Sequence, residues 1–215
     1  MTTITAKPRL RGWLHTGALP VTLVAGFALV ALGPTLQARL ASAIYAITSG
    51  LLFGISATYH RGTLGPRLAE VLRRFDHANI YLIIAGTYTP FALLALDGAA
   101  RVAVLAVIWG GALSGVLFRV FWMGAPRWLY TILYLALGWT AIFVMPQLIA
   151  GAGVAAVVLV AVGGVFYSAG AIVYGLRRPD PAPGWFGYHE VFHAFTIAAY
   201  LVQYIAVSIV VYSHV

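Results

Sequence analysis

Long apolar stretches separated by short polar segments dominate the sequence. A bilayer core about 30 Å thick needs about 20 apolar residues in helical form, because unpaired backbone groups are not tolerated in lipid. Seven stretches meet this requirement, and they cover residues 14–32, 40–59, 77–96, 102–118, 128–145, 154–176 and 192–212. The pattern therefore predicts an all-α integral membrane protein, with residues 1–215 forming a single domain of seven transmembrane helices.

A shorter amphipathic pattern precedes the third apolar stretch. Leu64, Leu68, Leu72 and Asp76 recur at four-residue spacing, and the arginines of this segment lie off that stripe. This spacing predicts an amphipathic interfacial helix over residues 61–76 that runs into the third transmembrane helix. Asp76 continues the apolar face and is therefore expected to point into the helical bundle.

Composition and charge narrow the class of protein and set its orientation. The chain is 62% hydrophobic and 8% charged, with a mean hydropathy of +0.93, whereas soluble domains carry roughly 25% charged residues. The net charge of +8 is explained by loops anchored at the inner membrane face, so nucleic acid is not an expected partner. An inside N-terminus leaves only Arg39 and Arg101 of the 13 Lys and Arg residues outside, which satisfies the positive-inside rule. Residues 1–13 are then a cytoplasmic segment, and the C-terminus lies outside.

This topology brings chemically active residues from three helices to the inner membrane face. His60 ends the second helix, Asp76 begins the third, and His189 and His193 begin the seventh. Residues four apart share one helix face, and the segment from His189 to His193 fits the zinc-binding pattern H-E-x-x-H. Because the chain has no cysteine, a metal must be held by histidine nitrogens and carboxylate oxygens.

The residue types at this face predict a Zn²⁺ site with an open position. Three neutral imidazoles, from His60, His189 and His193, leave the fourth position of zinc for water, whose pKa falls toward ~7. Asp76 would accept a hydrogen bond from this water and serve as general base. Ser56 lies one turn before His60 and would orient the water or stabilise an oxyanion.

Other polar residues near this face have alternative interpretations. Glu190 is either a general base or a residue that faces lipid headgroups or Arg177 and Arg178. Three further histidines are expected to be capping or interfacial, namely His15, His77 and His214. His77 is the chief rival ligand, although its position next to Asp76 turns it away from the same helix face.

Three segments resemble the hemolysin III family, bacterial members of the superfamily that includes the progestin and adiponectin receptors. They are residues 56–60, 74–90 and 187–193, which contain the S-x3-H, aspartate and H-x3-H elements. The resemblance implies seven helices with an inside N-terminus, zinc on His60, His189 and His193, and Asp76 and Ser56 near the metal-bound water. It also implies a multi-pass protein of a bacterial-type plasma membrane. Receptor members carry glutamine at the position of Glu190.

Three functions follow from these observations. The first is a zinc-dependent hydrolase that cleaves an amide or ester of a lipid entering from the bilayer, as the resemblance to ceramidase-like hydrolases implies. The second is a signalling or membrane-homeostasis protein in which zinc is structural, and the third is a pore-forming cytolysin. Membrane lipids are the expected partners in each case, and the sequence allows an oligomer without requiring one.

Overall fold

The structure is a computed structural model that describes residues 8–213. Its described part is all-helical, apart from one isolated β-bridge between Ala182 and Phe186. The helices are α1 (Trp13–Leu32), α2 (Leu36–Arg61), α3 (Pro66–Ala95), α4 (Gly98–Phe121), α5 (Arg127–Gly138), α6 (Met145–Leu176) and α7 (Tyr188–Ser213). A 3₁₀ segment, Trp139–Val144, joins α5 to α6. Six helical segments are long and apolar enough to cross a membrane, because α5, the 3₁₀ segment and α6 count as one.

The outer surface of the bundle carries large apolar side chains. Phe27, Phe121 and Phe143 are 74%, 80% and 85% exposed, and apolar surface on this scale is unfavourable in water. The interior instead contains small residues and tyrosines, such as Ala85 and Tyr45. This distribution is that of a multi-pass membrane protein, whose exterior faces lipid.

Most helices pack on their neighbours in the sequence, and the last helix packs back on earlier ones. The first four form a consecutive series, α6 packs on α7, and α7 returns to α3 and α1. Close approach of α2 and α3 depends on Gly86, because a Cβ atom there would overlap the side chain of Thr48. Asn79 adds a hydrogen bond across the same interface, donating from Nδ2 to the Leu51 carbonyl at 3.1 Å. These contacts place the end of α2 beside the first half of α3.

The region from α5 to α6 does not form the two regular α-helices that the sequence predicted. Tyr88 donates to the Gly138 carbonyl at 2.6 Å and accepts from the Ala141 backbone N–H at 2.7 Å. These bonds hold the 3₁₀ segment, which lies within the predicted span 128–145. Gly153 has φ 81° and ψ 159° and interrupts α6, close to the predicted start of the sixth span at residue 154.

The starts of α3 and α7 differ from the sequence prediction. Residues 62–65 are not helical, and α3 begins at Pro66, whose ring suits the first helical turn. The amphipathic segment predicted over residues 61–76 is therefore the first part of α3, and residue 61 still belongs to α2. The helix α7 begins at Tyr188, one turn before the predicted span at 192, so His189 is helical.

Candidate metal centre

Three histidines meet where α2 ends and α7 begins. His60 lies in the last turn of α2, and His189 and His193 lie four residues apart in the first turns of α7. Each ring contributes one nitrogen to a group in which all three atoms lie within 4.8 Å of one another. The residues are intermediate or fully buried, so bulk water competes weakly for their nitrogens.

The distance between two of these nitrogens fits a shared metal ion. His60 Nε2 and His189 Nε2 are 3.2 Å apart, and two nitrogens bound to one tetrahedral zinc at 2.0–2.1 Å would be separated by about 3.3 Å. A hydrogen bond between two neutral imidazoles would give a similar distance, but it would not account for the third ring. The planes of His60 and His193 cross at 63° and those of His189 and His193 at 49°, so the in-plane lone pairs can converge. The three side chains therefore could hold a metal ion.

Asp76 and Ser56 complete the polar end of the site. Asp76 Oδ2 lies 3.6 Å from His60 Nε2, and the two side chains are 12% and 6% exposed. Ser56 is 1% exposed and faces the Asp76 carboxylate. Its hydroxyl makes no regular hydrogen bond with any residue between 8 and 213. The structure thus brings all five residues selected from the sequence to one place.

His77 is close to this group in sequence but is engaged elsewhere. Its Nδ1 lies 2.8 Å from the Arg73 carbonyl oxygen, and its Nε2 lies 3.2 Å from the Tyr174 hydroxyl. With both ring nitrogens occupied, His77 has no free lone pair for a metal. His214, the other histidine expected to be peripheral, lies outside the described residues.

Glu190 has a partner that neither sequence interpretation considered. Its side chain is 1% exposed and forms an ion pair with the Nε of Arg11. The other carboxylate oxygen, Oε2, accepts from the Gly187 backbone N–H at 2.9 Å, which is the carboxylate half of a helix capping box. Glu190 therefore caps α7 and binds Arg11, and it faces neither Arg177 nor Arg178 in these contacts.

The segment before α1 packs against the ends of the helices that carry the histidines. The Arg9 and Leu10 backbone N–H groups donate to the carbonyls of Gly184 and Trp185, each at 3.1 Å. Gly12 adopts φ 81°, and a Cβ atom there would overlap that of His60. Residues 8–12, which we call the N-terminal strap, therefore pack on the α6–α7 loop and on His60.

His15 was expected to be capping or interfacial, and the structure contradicts this prediction. It is 2% exposed, and its ring stacks on that of His193 with centroids 3.7 Å apart and planes at 3°. The sequence did contain a signal for this position. His15, Thr22 and Gly26 are spaced by seven and four residues and are all buried, so the polar and small residues of α1 mark its inward face.

An apolar cavity leads away from the histidines. It has a volume of about 150 Å³ and reaches α3, α5, α6 and α7. Its polar groups include His15, Asp76, His189 and His193, while Met145, Leu148 and Val157 line it elsewhere. Such a cavity suits a molecule with one polar end and an apolar chain.

Comparison with known proteins finds a matching family and similar bacterial proteins. The family described as Haemolysin-III related matches residues 4–204. The protein named Hemolysin-3 homolog from Bacillus subtilis (strain 168) is 34% identical over 149 residues, which are 69% of this chain and 67% of that protein. Hemolysin-3 from Bacillus cereus is 31% identical over 176 residues, 80% of this chain and 76% of that protein.

Proposed function

The chain belongs to the haemolysin-III-related family, and from this premise we propose that it is a zinc-dependent membrane hydrolase. Its substrate would be an amide or ester of a lipid. One observation carries the proposal: three imidazole nitrogens lie within 4.8 Å of one another and beside the Asp76 carboxylate, and two of these histidines and Asp76 line an apolar cavity. Three nitrogen ligands leave zinc an open position, as in catalytic rather than closed structural sites.

Each residue around the open position would have a separate role in hydrolysis. Zinc, when bound, supplies a Lewis acid and lowers the pKa of a water molecule toward ~7. His60, His189 and His193 would each provide one ring nitrogen. Asp76 Oδ2 would accept the proton of the attacking water and return it to the leaving group. The Ser56 hydroxyl would donate a hydrogen bond to the oxygen on which negative charge develops.

The same proposal includes seven membrane crossings, with a cytoplasmic N-terminus and an external C-terminus, in a plasma membrane. The segment Arg127–Leu176 has 50 residues, which as one straight helix would measure about 75 Å and exceed a hydrocarbon core of about 30 Å. Gly153 interrupts its helical geometry. Two crossings that turn near Gly153 agree with this length and with the distribution of basic residues.

A second candidate is a non-catalytic signalling or homeostatic protein with structural zinc. The donors come from α2 and α7, so a metal would join helices that are far apart in the sequence. Metal removal would then reduce stability without abolishing any reaction. The names of the two Bacillus relatives support a third candidate, a pore-forming cytolysin. The cavity lining is mainly apolar, which does not suit an ion path through one protein.

Metal content and lipid hydrolysis test these candidates together. Detergent-purified wild-type protein should contain about one zinc, and His60→Ala and His193→Ala should lose it. His77→Ala is the matched control, because this histidine lies near the site but has both nitrogens engaged. Asp76→Asn should retain zinc and lose most of the hydrolysis of lipid amides and esters presented in mixed micelles.

The possible results separate the three candidates. Zinc binding with hydrolysis that depends on Asp76 supports the enzyme. Zinc binding without turnover of any lipid class supports the structural role. Conductance in liposomes that persists after all three histidines are replaced supports the pore, and absence of zinc from metal-replete wild-type protein would reject the site itself.

A further inference from the structure

His15 is a buried polar group that the proposed hydrolysis does not use. It begins the first turns of α1, and its ring packs between His193, at 3.7 Å, and the edge of Phe53, at 5.0 Å between centroids. It also lines the cavity together with Asp76 and His193. Neither His15 nitrogen has a hydrogen-bond partner among residues 8–213.

Two unpaired ring nitrogens in an apolar interior are energetically unfavourable. A neutral imidazole always offers one N–H donor and one acceptor nitrogen, and buried polar groups are normally paired with protein or ordered water. A molecule in the cavity is the remaining source of partners for His15.

The stacking geometry excludes His15 from the metal site. An imidazole binds a metal along the lone pair in its ring plane, so the ion lies close to the plane of every ring that binds it. The planes of His15 and His193 are parallel within 3° and stacked, so they do not meet at a common ion. With His193 in the three-histidine group, His15 is directed to a different ligand.

We propose that His15 binds the polar end of a lipid whose chain lies in the apolar cavity, by a hydrogen bond from or to its imidazole. This inference rests on the proposed lipid substrate and deepens it, because it identifies a head group able to form hydrogen bonds. His60, His189 and His193, as holders of the metal, and Asp76 would lie at the scissile bond, whereas His15 would hold the head group beside it. His15 is thus a specificity-determining residue.

The test compares 1-hexadecanol with hexadecane as probes in detergent-purified protein. Both have the same apolar chain, and neither contains a bond that the proposed hydrolase can cleave. His15→Phe retains a flat ring against His193 and removes both nitrogens. The wild-type protein should prefer the alcohol, and His15→Phe should lose about three- to tenfold of this preference. Binding of hexadecane and zinc content should be unchanged.

Further variants keep the result interpretable. His15→Gln restores a donor and an acceptor without the ring and should recover part of the preference. His77→Phe is the matched control, because it removes a cavity histidine whose nitrogens already have partners. Each comparison is repeated after chelation, so that binding of the hydroxyl to the metal is separated from binding to His15.

The outcomes distinguish this inference from the hydrolase proposal. Equal alcohol preference in wild type and His15→Phe would overturn the inference, since ordered water would then satisfy His15. A loss of zinc in His15→Phe would also overturn it, because His15 would then act by positioning His193. If the variants do not fold, a crystal structure of the wild type with 1-hexadecanol decides: a hydroxyl within hydrogen-bond distance of His15 supports the inference, and one elsewhere rejects it. If the wild-type protein prefers the alcohol and His15→Phe loses this preference, but no lipid is hydrolysed, only the hydrolase proposal is rejected.

Discussion

Arg11 and Glu190 form a buried ion pair between residues 179 positions apart in the sequence. The pair joins the N-terminal strap to the first turn of α7, next to the three-histidine group. The Glu190 side chain is 1% exposed and that of Arg11 is 19% exposed, so loss of the arginine leaves a buried carboxylate without its cation. Such unpaired charges are strongly destabilising.

Arg11→Leu should therefore lower the free energy of unfolding by about 3 kcal/mol. The double variant Arg11→Leu/Glu190→Gln should recover a large part of this loss, since no charge remains buried. Thermal unfolding in detergent measures both effects. Arg101 offers a matched control, because its partner Asp97 is 97% exposed. Arg101→Leu, which loses this pair and a hydrogen bond to the Leu96 carbonyl, should lower the stability by no more than about 1 kcal/mol. Equal effects of Arg11→Leu and Arg101→Leu would contradict the pairing.

Zinc should stabilise the folded protein through the three histidines. A ligand at 100 times its dissociation constant adds about 2.7 kcal/mol when it binds only the folded state. The unfolding temperature should accordingly rise on zinc addition and fall on chelation. This response should disappear in His193→Ala and persist in His77→Ala. A zinc response that survives replacement of all three histidines would locate the metal elsewhere.

Replacement by alanine should change the stability of the protein in different directions at two helical glycines. A Cβ atom at Gly86 would overlap the Thr48 side chain, whereas one at Gly110 would meet nothing within 4 Å. Gly86→Ala should therefore destabilise the protein by about 1–3 kcal/mol through overpacking. Gly110→Ala should be neutral or stabilising by up to about 1 kcal/mol, because alanine favours helix. Unfolding midpoints in one detergent compare the pair, and similar midpoints would contradict the close approach of α2 and α3.

Single cysteines can determine how often the segment Arg127–Leu176 crosses the membrane. The chain contains no cysteine, and Cβ atoms at Gly124 and Gly184 would meet nothing within 4 Å. With two crossings, cysteines at these two positions react with a membrane-impermeant maleimide from the cytoplasmic side only. With one crossing, they react from opposite sides. A cysteine at Val154, which is 63% exposed and next to the turn at Gly153, should react from outside, on the side opposite to the other two.

The sequence predicted the residues that meet at the candidate site, because helix periodicity and basic residues are local signals. His60, His189 and His193 could be placed at one membrane depth in this way. His15 was missed, because its spacing to Thr22 and Gly26 is a weak signal in a helix that is otherwise apolar on nearly all sides. The partner of Glu190 was equally inaccessible, since no local pattern relates it to Arg11.

The backbone conformation between α5 and α6 also could not be predicted from local sequence patterns. The apolar stretches 128–145 and 154–176 were correctly recognised as helical, and Gly153 lies between them. The 3₁₀ segment depends on Tyr88, which is 53 residues from Ala141. Tertiary hydrogen bonds of this kind select the local backbone, and single-sequence periodicity does not contain them.

The placement of the strap and the histidines has a consequence for biogenesis. The first described residues of the chain pack on the loop before α7, and two of the three donor nitrogens belong to α7 itself. A nascent chain that has inserted only α1 to α6 contains His60 but neither His189 nor His193. The three-histidine group can therefore assemble only after synthesis and insertion of the last helix, so it is absent from chains that terminate before α7.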